Sequence, residues 1–80
     1  MNSSLVIKSY RGKKLLTQDA LAAKLGISRQ MYNNYENDPL HCQLDILLKI
    51  LAKLDVNEVE IHEFFDALKQ DYLSYEQQDS

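Results

Sequence analysis

One proline and two glycines in eighty residues are too few for long loops, and no stretch carries a strand signal. A single cysteine, Cys42, excludes an internal disulfide and fits a reducing compartment. The two histidines, His41 and His62, are 21 positions apart with only Cys42 beside the first, so no zinc spacing exists. No run approaches the roughly 18 apolar residues of a membrane helix. Residues 1–8, Met-Asn-Ser-Ser-Leu-Val-Ile-Lys, lack the basic opening and apolar core of a signal peptide. Ser, His and Asp occur, but at no triad spacing, and no cofactor motif appears. These absences argue against an enzyme, a membrane protein and a secreted protein. The expectation is a cytoplasmic single domain with no metal and no cofactor.

What the chain does have is an uneven distribution of charge. The net charge of −3 divides sharply. Residues 1–37 hold six basic side chains against Asp19 and Glu36, a net +4, and residues 38–80 hold three lysines against ten acids, a net −7. Attraction to phosphates follows the local potential, so the basic half suits a nucleic acid despite the overall sign.

Hydrophobic spacing predicts five helices. Leu5, Ile7 and Tyr10 supply a first helix over about residues 4–14. Thr17 is a good N-cap for a second, with Asp19 in its first turn and Leu21, Ala22 and Leu25 facing inward. Gly26 ends that helix, because glycine tolerates the left-handed backbone of a sharp turn. Ile27 plugs the corner and Ser28 caps a third helix from Arg29 to about Asn37, with Tyr32 and Tyr35 turned inward. Asp38-Pro39 marks a loop. Leu44, Leu47, Leu48, Leu51 and Leu54 form the stripe of a fourth helix. Asn57 and Glu60 resemble a capping box. Ile61, Phe64, Phe65, Leu68, Tyr72 and Tyr75 then line a fifth helix.

Two short helices meeting at a glycine, the second opening on Ser28 and carrying Arg29, Gln30, Asn33 and Asn34 toward solvent, is the layout of a helix-turn-helix DNA reader. Arg29 and Gln30 lie in the first turn, the part that enters the major groove, and Asn34 is one turn beyond Gln30 on the same face. Arg pairs with guanine, and Gln or Asn with adenine. Asn33 lies to the side, better placed for a phosphate. Gln18 sits at the N-terminus of the second helix, a natural phosphate site. Ser28 is first a cap, with a phosphate contact as a second duty.

From residue 7 through residue 65 the chain resembles the Cro/C1-type (XRE-like) helix-turn-helix proteins of bacteria, phages and mobile elements. The resemblance rests on Arg11, Leu16-Thr17-Gln18, Leu21-Ala22, Leu25-Gly26-Ile27-Ser28, Tyr35-Glu36 and the leucine-rich helix ending Leu54-Asp55-Val56. It implies a compact all-α, five-helix, lambda-repressor-like DNA-binding domain over residues 4–69, with residues 70–80 extending the last helix into a polar tail. It also implies sequence-specific binding to double-stranded DNA, usually as a homodimer, and transcriptional regulation in a bacterial or phage-infected cell. The DNA-contacting set is then Arg29, Gln30 and Asn34 for bases, and Gln18, Ser28, Asn33 and Asn37 for the backbone. In the family the pair matching Arg11 and Glu36 is a salt bridge tying the first helix to the end of the third. The chain departs from the family in having Asp38 where Gly is common and Cys42 where Pro is common, and Asp38 there repels phosphates.

A small repressor acting on a palindromic operator is the leading expectation. Its competitor is an antirepressor or antitoxin-like module that binds a regulatory partner protein through the acidic half. The apolar, aromatic stripe of Leu68, Tyr72 and Tyr75 is the expected dimer surface.

Overall fold

A computed structural model describes residues 2–79, which form five α-helices and no strand, the all-α arrangement expected. They are α1 (Ser3–Lys13), α2 (Gln18–Leu25), α3 (Arg29–Asn37), α4 (Leu44–Lys53) and α5 (Glu58–Asp79), with a 3-10 turn, Pro39–His41, between α3 and α4. Every helix but α4, whose Gln43 makes no cap bond, begins on a side-chain cap. Asn2 Oδ1 accepts from the Ser4 N–H at 2.7 Å, so α1 starts one residue earlier than expected. Thr17 Oγ1 accepts from the Ala20 N–H at 3.0 Å and Ser28 Oγ from the Met31 N–H at 3.1 Å. Asn57 Oδ1 accepts from the Glu60 N–H at 2.8 Å while Glu60 Oε1 accepts from the Asn57 N–H at 3.0 Å, a complete capping box. That second bond holds the Glu60 carboxyl below the usual range.

Three helices end by one device. After α1, α2 and α4 the chain passes through a left-handed residue, Leu15 (φ 56°), Gly26 (φ 73°) and Asp55 (φ 52°) respectively. The next amide reaches back to the helix: Leu16 N–H to Arg11 O, Ile27 N–H to Ala22 O, and Val56 N–H to Leu51 O. These are Schellman caps, and the apolar residue after each left-handed one, Leu16, Ile27 or Val56, packs on the core. Only the middle cap uses glycine. Leu15 is 91% exposed, so at α1 the backbone strain of an L-residue is not offset by burial of its own side chain.

The core joins Val6, Ile7 and Tyr10 of α1, Leu21, Ala22 and Leu25 of α2, and Tyr32 of α3 to residues of the last two helices. Helix α4 contributes Leu47, Ile50 and Leu51, with Leu54 at its end, so Ile50 takes the place expected for Leu44 and Leu48, which are exposed. Leu48 is rotated about 100° from Leu47, onto the flank of the helix. In α5 the inward row is Phe64, Ala67 and Leu68, and Phe65 is turned out for the same reason. Leu5 is likewise exposed, and Val6 fills the core instead. Tyr35 is only half-buried; the fully buried side chain after Tyr32 in α3 is Glu36.

Helix α5 continues without a break past residue 69. Asp71 Oδ2 accepts the Ser3 N–H at 3.0 Å and the Ser3 hydroxyl, clasping the start of α1. Tyr75 meets His41 edge-on, with ring centroids 5.3 Å apart. Leu68 is therefore core and Tyr75 leans on the 3-10 turn, whereas Phe65 and Tyr72 share an exposed flank. Leu48, Leu51, Val56, Ile61 and Phe65 line a shallow groove beside it.

Leu15→Gly should raise stability by about 1 kcal/mol, since glycine removes the left-handed strain and the lost side chain was in water. Thermal unfolding measures it; a lower midpoint would mean that Leu15 makes stabilising contacts.

Candidate nucleic-acid interface

Helices α2 and α3 pack against one another, and between them lies the most heavily bonded side chain in the domain. Glu36 is 0% exposed and accepts four hydrogen bonds. Arg11 Nε donates to Oε2 at 2.8 Å and Arg11 Nη2 to Oε1 at 3.2 Å; Gln18 Nε2 donates to Oε1 at 2.8 Å and the Tyr32 hydroxyl to Oε2 at 2.5 Å. The salt bridge implied by the resemblance is thus present, and Arg11 Nη1 also holds the Leu16 carbonyl at 2.8 Å. Burial pushes the Glu36 carboxyl up, but the bonds from Arg11, Tyr32 and Gln18 outweigh it and hold it below the usual carboxylate range. The Tyr32 hydroxyl is pushed far up by burial and by its bond to Glu36, so it stays protonated and donates.

With its back fixed in this way, α3 presents its other face to solvent. Arg29, Gln30 and Asn34 are all exposed, as are Ser28 at the start of α3 and Asn37 at its end. Gln30 Nε2 donates to Asn34 Oδ1 at 3.2 Å, so these two amides form one surface unit. Arg29 Nε stands 3.8 Å from Asp19 Oδ1, a loose pair in which both partners are mostly exposed and which water screens. Gln18 and Asn33 are half-buried, joined by Gln18 Nε2 donating to Asn33 Oδ1 at 3.1 Å. Gln18, Arg29, Gln30, Asn33 and Asn34 therefore lie on the two helices with Ser28 in the turn between them, while Asn37 is the last residue of α3, beside the 3-10 turn. There His41 Nδ1 lies 3.0 Å from Asp38 Oδ2, so the acidic departure from the family pattern has a basic neighbour.

Apart from the Arg11–Glu36 pair, the contacts within this site were not anticipated from sequence. The Tyr32–Glu36 bond spans i to i+4 on one helix face, a spacing that could have signalled it. The Asp19–Arg29 approach depends on the angle between α2 and α3 and left no local signal. Of the six basic side chains in residues 1–37, Lys13 turns to α5, with its Nζ 3.4 Å from Glu60 Oε2 and over the Tyr10 ring. Among the described residues no group of three or more His, Cys, Asp or Glu side chains could hold a metal ion. No helix among them is long and apolar enough to cross a membrane.

A protein-family model described as helix-turn-helix matches residues 7–61, from the middle of α1 into α5. No curated protein and no solved structure matches the chain.

Because the folded-state value of Glu36 is depressed, its stabilising contribution is complete above the ordinary glutamate value, about pH 4.3, and is lost as pH falls through the lowered one. Acid unfolding of the wild type should therefore show a loss in that window that Glu36→Gln lacks. Arg11→Ala should cost about 3 kcal/mol, because the buried Glu36 carboxylate is left without its countercharge. Parallel acid profiles of wild type and Glu36→Gln would contradict the assignment.

Proposed function

This chain belongs to the Cro/C1-type (XRE-like) helix-turn-helix family of DNA-binding transcription regulators, and we propose that it acts as a small repressor, binding a palindromic operator as a dimer. The observation that carries the base-reading part is the division of α3 into an anchored back, Tyr32 and Glu36, and an exposed polar front, Arg29, Gln30 and Asn34. A helix fixed from behind can meet the major groove without reordering, which lowers the entropic cost of recognition. Arg29 reads guanine and the Gln30–Asn34 unit reads adenine. Ser28, Asn33 and Asn37 supply hydrogen bonds to the backbone.

Dimerisation is supported by the flank of Phe65 and Tyr72, 36% and 50% exposed, next to the exposed Leu48 of α4. Aromatic and aliphatic side chains left in water on adjoining elements favour an interface, and a two-fold pair spaces its recognition helices by about 34 Å. The proposal moves the interface from Leu68, Tyr72 and Tyr75 to Leu48, Phe65 and Tyr72. The clasp between Asp71 and Ser3 makes point substitution a cleaner test than deleting the end of α5.

On an operator selected from random duplexes, Arg29→Ala and Gln30→Ala should each cost about 1–3 kcal/mol, with little loss on unselected DNA. Equal losses on both would mean that the two side chains touch only phosphates. Tyr72→Glu should sediment as a folded monomer with weaker operator binding; an unchanged dimer would place the interface elsewhere. A wild-type protein that selects no duplex but captures a protein through its acidic half would favour the antirepressor or antitoxin-like reading.

A further inference from the structure

The Gln18 side-chain nitrogen carries two hydrogens, and both are engaged, one with Glu36 Oε1 at 2.8 Å and one with Asn33 Oδ1 at 3.1 Å. Neither bond can be reversed. Glu36 is ionised and accepts only, so Gln18 must turn its nitrogen inward. With that nitrogen inward, Asn33 must offer its oxygen to the remaining hydrogen. The Asn33 nitrogen, with two donors, is then the group left over. No half-buried residue has a buried side-chain nitrogen or oxygen without a partner, and the Asn33 nitrogen has no protein partner among the described residues, so it reaches solvent. Gln18 retains only its oxygen, an acceptor, and a phosphate is itself an acceptor.

We infer that Glu36 is a positioning residue of the DNA face, orienting Gln18 and through it Asn33, so that the Asn33 amide and not the Gln18 side chain donates to a phosphate. The inference rests on the reading that α2 and α3 meet the DNA backbone, and it changes the part assigned to Gln18. A side chain expected to touch DNA becomes the middle of a relay that begins at a buried carboxylate. The relay also fixes the donor before DNA arrives, so the amide need not be ordered at the moment of contact.

A double-mutant cycle tests it, with Gln18→Met and Asn33→Ala measured alone and together by equilibrium titration on the selected operator and on random duplex. Asn33→Ala should weaken binding to both duplexes by about tenfold, as expected for a hydrogen bond to a charged group, with an unchanged salt slope because no cation is removed. Gln18→Met should reproduce part of that loss, and the double variant should bind no more weakly than Asn33→Ala. In the free wild-type protein both Gln18 side-chain amide protons should exchange slowly. Losses that multiply in the double variant, or fast exchange of those protons, would overturn this inference alone. A wild-type protein that binds neither duplex would overturn the interface reading and this inference with it.

Discussion

A carboxylate removed from water needs donors on every side, and in this domain Glu36 has four, drawn from α1, α2 and its own helix. Isolated burial of such a charge costs several kcal/mol, which the bonds from Arg11, Gln18 and Tyr32 together offset. That requirement is geometric as well as energetic. The guanidinium of Arg11 presents a rigid fork, which fixes α1 against α3, and the single amide of Gln18 fixes α2 to the same point. The apolar core of Ile7, Leu21, Tyr32, Ile50 and Phe64 supplies non-directional burial, and the directional hydrogen bonds around Glu36 add a fixed register to it.

The consequence for function is a recognition helix held from behind. Its polar side chains Arg29, Gln30 and Asn34 are exposed, where no core residue competes for them. The acidic α5 lies against α1, and its contacts with Ser3, Tyr10 and Lys13 brace that helix, which in turn brings Arg11 to Glu36. The charge asymmetry of the sequence thus accompanies an asymmetry of position: the basic half holds the helix-turn-helix and the acidic α5 braces α1 behind it.

Much of this was legible in the sequence because the signals were local. Thr17, Ser28 and the Asn57–Glu60 pair cap their own helices, and Gly26 adopts a conformation that glycine favours, so one residue and its neighbours were sufficient. The caps at Leu15 and Asp55 were illegible because leucine and aspartate do not announce a left-handed turn; there the stop is set by Leu16 and Val56 reaching the core. The leucine stripe of α4 is misleading because Leu44 and Leu48 fall outside the inward row that Ile50 joins, and Ala67 is hard to read because a small residue at a close helix contact adds little to a hydrophobic pattern. The exposure of Arg29, Gln30 and Asn34 on α3 was legible from spacing, but not the direction in which Gln18 and Asn33 point their amides. That depends on a carboxylate 18 residues from Gln18.

The central claim is that the front of α3, held by Glu36, is the surface that meets DNA. Amide chemical-shift mapping during titration with a selected duplex tests it most directly. The account predicts the largest shifts at residues 17–20, 28–34 and 37, with the acidic outer face of α5 little changed. Shifts confined to α4 and α5, with residues 28–34 unmoved, would contradict it.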